Sequence, residues 1–157
     1  MSGPHRSSLL TVKPEWIDHN GHLNMAYYNV LFDNAADEFF AEFGIGLEYI
    51  QRTGFSTFSA EFHVCYLREI HEGNQVYVTS QLLDLDEKRF HFFQELHHAD
   101  GWLSATGEGL GLHVDLAGPK VVPMPPETYD KIAAIYEDHR NLPRPARAGR
   151  RIGIKRK

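Results

Sequence analysis

One long helical pattern followed by four long strand patterns constrains the fold of this chain more than any other feature. Across Met25–Phe43 the apolar side chains recur at helical spacing, and the acidic side chains fall mainly elsewhere on the helix. Four runs rich in β-branched and aromatic residues follow, joined by short turns: Phe55–Leu67, Val76–Leu85, Arg89–His98 and Trp102–Val114. Such runs predict an antiparallel meander, and one helix and one sheet must bury their apolar faces against each other. The prediction is an α+β domain in which a curved antiparallel sheet wraps around one long central helix.

The C-terminal part of the chain differs in composition from the rest. Pro123–Pro126 ends the sheet, and Glu127–His139 has the pattern of an amphipathic helix. Residues 141–157 then carry seven Lys or Arg and no acid, whereas the chain as a whole has a net charge of −5. We predict a single domain over residues 1–140 and a basic, flexible tail over 141–157. The tail is either solvated or in contact with phosphate groups, such as those of CoA.

Composition excludes several classes of protein. One cysteine, Cys65, allows no internal disulfide and favours a reducing compartment. No apolar run is long enough to cross a membrane, and the N-terminal residues do not have the pattern of a signal peptide, so we expect a cytoplasmic protein. The body has no basic stripe that would indicate nucleic-acid binding. The histidines do not have the spacing of metal ligands, and we predict no metal site.

The segment PEWIDHNGHLNMAYY, residues 14–28, contains the strongest functional signal. A polar turn with Asp18, Gly21 and His22 lies directly before the predicted start of the long helix. The first turn of a helix presents unpaired backbone N–H groups and the positive end of its dipole, which can bind the oxygen of a carbonyl as it becomes an oxyanion. A carboxylate beside such a site can act as a base or nucleophile on the same carbonyl. The segment therefore predicts part of an acyl-transfer site.

The motif Asp-x-x-Gly-His-Leu-Asn-x-x-x-Tyr, beginning at Asp18, resembles the signature of hotdog-fold acyl-CoA thioesterases of the 4-hydroxybenzoyl-CoA thioesterase type. The resemblance implies a hotdog fold, with Asp18 as the catalytic carboxylate and the backbone N–H of Met25 as the oxyanion donor. It also implies an acyl-CoA substrate and no cofactor, because coenzyme A is part of the substrate. Members of this family place their sites between subunits, so a homodimer or a dimer-of-dimers tetramer is expected.

Two further segments narrow the resemblance. Together with the motif region, AEFHVCYLREIHEG (residues 60–73) and residues 81–101 are similar to the thioesterases of carnitine catabolism, which hydrolyse betainyl-CoA. This likeness implies betainyl-CoA as the substrate. The residues 23–26 depart from that subfamily at the start of the helix.

The residues of the motif region suggest distinct roles at the acyl carbon. Asp18 either attacks the thioester to form a mixed anhydride or activates a water molecule, and the sequence leaves both routes open. Asn24 is expected to cap the helix and so order its N–H groups. His22 either positions the turn or Asp18 by a hydrogen bond, or is an ordinary solvent-facing loop histidine. Glu61, on a strand rich in apolar residues, is a second candidate carboxylate or an outward-facing strand residue.

Aromatic and basic side chains are candidates for substrate binding. Trp16, Tyr28 and Tyr66 either line the acyl pocket or pack in the core, and they would favour a trimethylammonium group through cation–π contacts. Arg68 and Arg89, near strand ends, either bind CoA phosphates or are surface charges.

Two other functions use the same residues. A hotdog enoyl-CoA hydratase would need His22 to act together with Asp18 on a double bond. A non-catalytic acyl-CoA-binding module would bind CoA esters without turnover and would use the basic tail as its contact.

Overall fold

Within residues 3–157, which the computed structural model describes, one antiparallel sheet of seven strands accompanies three α-helices. The first two residues of the predicted domain lie outside this range. The elements in chain order are β1 (His5–Arg6), β2 (Leu10–Thr11), a 3-10 turn (Pro14–Trp16), α1 (Met25–Glu42), α2 (Leu47–Thr53), β3 (Phe55–Tyr66), β4 (Gln75–Leu85), β5 (Arg89–His98), β6 (Leu103–Asp115), β7 (Lys120–Val121) and α3 (Pro126–His139). The predicted α+β architecture of one long helix and one antiparallel sheet is confirmed.

The four long strands form the body of the sheet in the order β4–β5–β6–β3. The short strands β1 and β2 pair with β4, and β7 pairs with one end of β6. In the described part of the chain β3 pairs with β6 alone, so it forms one edge of the sheet. All the pairings are antiparallel, as the short turns between the strands require.

α1 forms because its apolar side chains share one face and both of its ends are stabilised. Asn24 caps the start, since its side chain accepts a hydrogen bond from the Ala26 N–H at 2.9 Å. Gly44, with φ of +73°, ends it in the left-handed conformation. The buried face presents Tyr28, Leu31, Phe32, Ala35, Ala36 and Phe39. Each large apolar side chain buried in this way contributes about 1.5–3 kcal/mol, so the contact with the sheet holds the helix in place.

Three alternate glycines of β6 let aromatic rings lie directly on the sheet. A Cβ atom at Gly109 would lie 2.4 Å from Cζ of Phe92, and one at Gly111 would lie 2.2 Å from Cζ of Phe90. At Gly107 the corresponding ring is that of Phe62, at 2.5 Å. The glycines therefore provide the room in which these rings pack between the sheet and α1.

A bulge in β3 decides which of its side chains face α1. Pairing with β6 shifts register between Ser59 and Glu61. Phe62 lies opposite Gly109 and packs edge-on against Phe32 of α1, with ring centroids 5.6 Å apart. Since successive strand residues point to opposite faces, Glu61 projects from the face of the sheet away from α1.

The C-terminal segment contacts the sheet at two points. The Gly149 N–H donates to the Glu108 carboxylate at 2.8 Å, and the side-chain amide of Gln81 donates to the Pro143 carbonyl at 3.4 Å. The two sheet residues, Glu108 and Gln81, project from the face of the sheet that is turned away from α1. The predicted flexibility of residues 141–157 stays a prediction, since these contacts describe position and not motion.

Candidate active site

The polar turn before α1 is held by its own hydrogen bonds. The Asn20 N–H donates to Oδ1 of Asp18 at 2.8 Å, and the Asp18 N–H donates to the His22 carbonyl at 3.1 Å. Gly21 has φ of +81°, a conformation that other residues rarely adopt, and its N–H donates to the Asp18 carbonyl at 3.0 Å. Asp18 is half-buried, and its second carboxylate oxygen has no hydrogen-bond partner in the described residues.

The start of α1 leaves one backbone donor free. Asn24 Oδ1 accepts from the Ala26 N–H, and the Asn24 carbonyl accepts from the Tyr27 N–H at 3.0 Å. Among residues 3–157 no acceptor satisfies the Met25 N–H. A free N–H on the first turn of a helix is suited to an oxyanion, because the helix dipole adds to its positive field. The Met25 N–H is the donor that the family resemblance implies, and its role as an oxyanion donor stays a prediction.

Two tyrosines fix the first turn of α1 against β3. The Tyr66 hydroxyl donates to the Met25 carbonyl at 3.1 Å. Its ring packs edge-on against Tyr28, with centroids 4.9 Å apart. Burial raises the pKa of the Tyr66 hydroxyl, and it also raises the pKa of Tyr28, although hydrogen bonds to Ser104 and Ile70 partly oppose the shift of Tyr28. Both hydroxyls therefore stay protonated at neutral pH and can act as donors.

Residues of the β3–β4 loop brace the turn, a contribution that the sequence did not reveal. His71 Nδ1 donates to the Gly21 carbonyl at 3.1 Å. Glu69 lies 3.9 Å from Nε2 of His71 and 3.9 Å from Nε2 of His22. The other nitrogen of His22 contacts the Leu23 carbonyl at 3.2 Å. The His22 ring is thus directed towards Glu69 and the backbone, and among residues 3–157 it makes no hydrogen bond with the Asp18 side chain.

The aromatic and basic candidates near this end of the sheet lie around the turn. Trp16 stacks on Tyr27, with ring centroids 5.9 Å apart, and the Trp16 carbonyl accepts from the Asn24 N–H. The Arg68 guanidinium lies over Trp102, 3.9 Å from the ring centroid, beside a shallow groove lined by Glu69 and His71. Arg68 therefore lies at the surface, in the same loop as the residues that brace the turn.

Two predicted site residues are not brought to the turn. Glu61 lies on the opposite face of the sheet, in a depression it shares with Glu108 and Arg150. Arg89 begins β5, whose ten residues separate it by about 30 Å from the end of the strand near Trp102. Its guanidinium donates from Nε to Asp86 at 2.7 Å. Burial alone would raise the pKa of the Asp86 carboxyl, but the hydrogen bonds from Arg89 and the backbone lower it overall.

A cavity of about 370 Å³ lies along α1, starting one helical turn after Met25. Its walls come from α1 and from the α1-facing side of β3 and β5: Asn29, Val30, Phe32, Asp33, Ala36, Phe40, Ser59, Phe62, Phe92 and Gln94. Asp33, Phe62 and Gln94 were not among the predicted site residues, although alternating glycines in β6 opposite alternating aromatic residues in β5 were a signal for this space. A cavity of this size and lining is typical of a small-molecule site.

Within the described chain no group of three or more His, Cys, Asp or Glu residues could hold a metal ion. No helix among those residues is long and apolar enough to span a membrane.

Comparisons with known proteins fit this fold and turn. The thioesterase-like superfamily matches residues 12–132. A betainyl-CoA thioesterase of Pseudomonas aeruginosa is 40% identical over 148 residues, which cover 91% of each protein. An L-carnitine dehydrogenase/betainyl-CoA thioesterase of Rhizobium meliloti is also 40% identical over 156 residues; the match covers 99% of this chain but only 31% of that protein. A Staphylococcus aureus structure in complex with CoA superposes with a TM-score of 0.87 at 30% identity, over 94% of each chain.

The fold, the family match and the identity of 40% with a named thioesterase together define a hotdog thioester hydrolase. The chain belongs to the thioesterase-like superfamily. The predictions of the fold, the family and the class of enzyme are confirmed. The roles of the individual site residues stay predictions, because none of the comparisons tests them.

Proposed function

We propose that this chain hydrolyses a small acyl-CoA, with betainyl-CoA as the preferred substrate, to the free acid and CoA. The observation that carries the proposal is the free Met25 N–H at the start of α1, next to the turn that holds a half-buried carboxylate. The identity of 40% with a betainyl-CoA thioesterase over 91% of both chains supports the choice of acyl group.

The proposed mechanism uses two groups, the backbone N–H of Met25 and the carboxylate of Asp18. The Met25 N–H binds the thioester oxygen as it gains negative charge. Asp18 either attacks the acyl carbon and expels the CoA thiolate, leaving a mixed anhydride for water to hydrolyse, or removes a proton from a water molecule that attacks directly. In both routes one water molecule is consumed and CoA leaves as the thiol. Mass analysis of enzyme quenched during a single turnover separates the routes, because only the first adds the acyl mass to Asp18.

The assembly that we propose is a pair of chains joined through β3. Along its outer edge β3 has no partner strand in the described residues, and long free edges tend to pair with another strand. Phe58, Phe62 and Tyr66 of this strand are 45%, 37% and 44% exposed, and apolar surface gathered along one free strand favours association. Strand β3 of a second copy would pair antiparallel with β3 of the first about a two-fold axis. The dimer, alone or doubled into a tetramer, is the proposed active form, and a monomer by light scattering would contradict it.

The compartment we propose is the cytoplasm, because the single Cys65 is a free thiol and a reducing environment suits it.

A panel of acyl-CoA esters tests the proposed activity. Betainyl-, benzoyl-, butyryl- and octanoyl-CoA are compared by the rate of thiol release, and betainyl-CoA is expected to give the highest kcat/KM. Replacing Asp18 by Asn should lower kcat by a factor of about 10² to 10⁴, the usual contribution of a catalytic acid or base. Glu61→Gln is the matched control and should stay within about threefold of wild type, because Glu61 lies on the other face of the sheet.

Two outcomes would contradict the proposal. Hydrolysis that survives in a folded Asp18→Asn variant would refute the role of Asp18. Binding of CoA esters without thiol release would favour a binding module. Crotonyl-CoA is included because loss of its double-bond absorbance without thiol release would indicate a hydratase.

A further inference from the structure

The cavity along α1 combines aromatic walls with a carboxylate that has no partner. Phe32, Phe62 and Phe92 form a connected set of rings, with centroid separations of 5.6 Å between the first two and 6.4 Å between the last two. Asp33 also lines the cavity and is exposed. Among residues 3–157 no Lys, Arg or His forms an ion pair with Asp33.

The negative charge at this position is reinforced by the rest of α1. The helix contains four acidic residues and no Lys or Arg. Two of the acids are bonded elsewhere, since Glu38 accepts from the Ser8 N–H at 2.8 Å and Glu42 contacts His5. Asp37 lies one turn beyond Asp33, and burial together with repulsion by Asp33 raises the pKa of its carboxyl. This side of the helix therefore carries negative charge that the described residues do not neutralise.

The floor of the cavity offers a further unpaired acceptor. Gln94 has no exposed surface, and its amide nitrogen donates to the Phe32 carbonyl at 3.2 Å. Its amide oxygen has no hydrogen-bond partner in the described part of the chain. Buried acceptors without a partner are uncommon in proteins. The unpaired oxygen adds partial negative charge to a cavity that already contains a carboxylate.

We propose that this cavity receives the acyl group and that Asp33 selects an acyl group with a positive charge, such as a quaternary ammonium. This assignment rests on the proposed thioesterase function and identifies a specificity residue of the same site. Aromatic faces attract alkylated ammonium groups, and they need no N–H donor in return. A neutral acyl group of the same shape fills the same space but gains nothing from the carboxylate.

The distances agree with an acyl group that extends from Met25 into the cavity. With a rise of about 1.5 Å per residue, Asn29 at the near end of the cavity lies about 6 Å along the helix from Met25, and Asp33 about 12 Å. The nitrogen of a betainyl group is two bonds from the carbonyl carbon, so with the carbonyl oxygen on the Met25 N–H its charge lies near Asn29, at the near end of the cavity. Even at the full separation of about 12 Å between Met25 and Asp33, and with an effective dielectric constant of about 20, one carboxylate favours a cation by roughly tenfold.

A pair of isosteric substrates tests the proposal. 3,3-Dimethylbutyryl-CoA has the shape of betainyl-CoA with carbon in place of the charged nitrogen. The ratio of kcat/KM for betainyl-CoA to that for the neutral ester is measured in wild type, Asp33→Asn and Asp37→Asn. Asp33→Asn is expected to lower the ratio about tenfold while the neutral ester changes less than twofold. Asp37→Asn removes the same charge one turn further on, outside the cavity lining, and is expected to lower the ratio by no more than about fivefold, half the effect of Asp33→Asn.

The outcomes separate this proposal from the proposed function. If neither ester releases thiol, the thioesterase function fails. If both are hydrolysed and the ratio is unchanged in Asp33→Asn, or both rates fall together, the charge selection by Asp33 is wrong. A second measurement uses wild-type enzyme alone: choline should inhibit hydrolysis more strongly than its neutral isostere 3,3-dimethyl-1-butanol, and equal inhibition would overturn the proposal.

Discussion

The two faces of the sheet hold carboxylates in opposite situations. On the face turned away from α1, Glu108 accepts hydrogen bonds from His91 at 2.7 Å and from the Gly149 N–H at 2.8 Å. Beside the face that packs on α1, Asp33 has no ion-pair partner in the described residues and borders a cavity lined by aromatic rings. A carboxylate satisfied by its own chain serves structure, whereas one left unpaired beside a cavity is available to a ligand. The following predictions test this contrast between the faces.

The largest effect on stability is expected from a substitution on the face of the sheet that packs against α1. Gly109→Ala places a Cβ 2.4 Å from the buried ring of Phe92, and displacing that ring should lower the free energy of unfolding by about 2 kcal/mol. Gly118→Ala is the matched control, since a Cβ there meets no atom within 4 Å, and it should change stability by less than about 0.5 kcal/mol. Urea unfolding measures both. Equal stability of the two variants would show that the ring can move freely.

The next largest effect is expected from removing the Tyr66 hydroxyl, which contacts the start of α1. Tyr66→Phe removes the hydrogen bond to the Met25 carbonyl, worth about 1 kcal/mol, and loosens the turn that presents the Met25 N–H. If the whole of this 1 kcal/mol is lost from the stabilisation of the transition state, kcat should drop about fivefold. Tyr77→Phe, whose ring stacks on His97 on the other face, should leave kcat within about twofold. A similar loss in both variants would remove the special role of Tyr66.

A buried histidine of α3 should make stability depend on pH. His139 is 2% exposed, and its Nδ1 accepts a hydrogen bond from the Leu82 N–H at 2.9 Å. Burial lowers the pKa of His139, so the unfolded chain takes up a proton below pH about 6.5 that the folded chain resists. The stabilisation is present above that pH and is lost as the pH falls through the folded-state pKa. Urea midpoints between pH 7 and 5 should fall less steeply in His139→Gln than in wild type or in His71→Gln, and parallel slopes would contradict this.

The smallest effect is expected from the tail. Ending the chain after Asn141 removes the contacts of Pro143 and Gly149 with the outer face, which are partly exposed and should contribute less than about 1 kcal/mol together. Thiol release from betainyl-CoA should stay within about twofold. A tenfold rise in KM with the fold retained would instead assign the tail's basic residues to CoA phosphates.

The sequence predicted the long elements well because each has a strong period of its own. The bounds of β5 are as predicted, and α1 ends at Glu42, one residue earlier than predicted. Which face of the sheet a strand residue points to was harder to predict. The bulge after Ser59 changes the alternation of β3, and the composition of the strand does not reveal it. Glu61 was proposed for its carboxylate, and it lies on the other face because its neighbour Phe62 points towards α1.

The site itself was predictable only where its residues are close in sequence. The turn from Asp18 to the start of α1 is one local segment, so its geometry follows from capping and glycine rules. His71 braces Gly21 from 50 residues away, and Gln94 meets Phe32 from 62 residues away. Pairings of this kind depend on strand register and tertiary packing, which a single sequence does not specify.

The alternate glycines of β6 limit how the acyl specificity of this enzyme could be altered by mutation. Gly107 and Gly109 have no room for even a methyl group beside the rings of Phe62 and Phe92. A larger residue at either position would therefore displace these rings outward and would not simply reshape the cavity. Engineering for bulkier or smaller acyl groups should therefore begin with Phe62, which is 37% exposed and lies on the edge strand. Residues on β6 are the positions to leave unchanged in such a library.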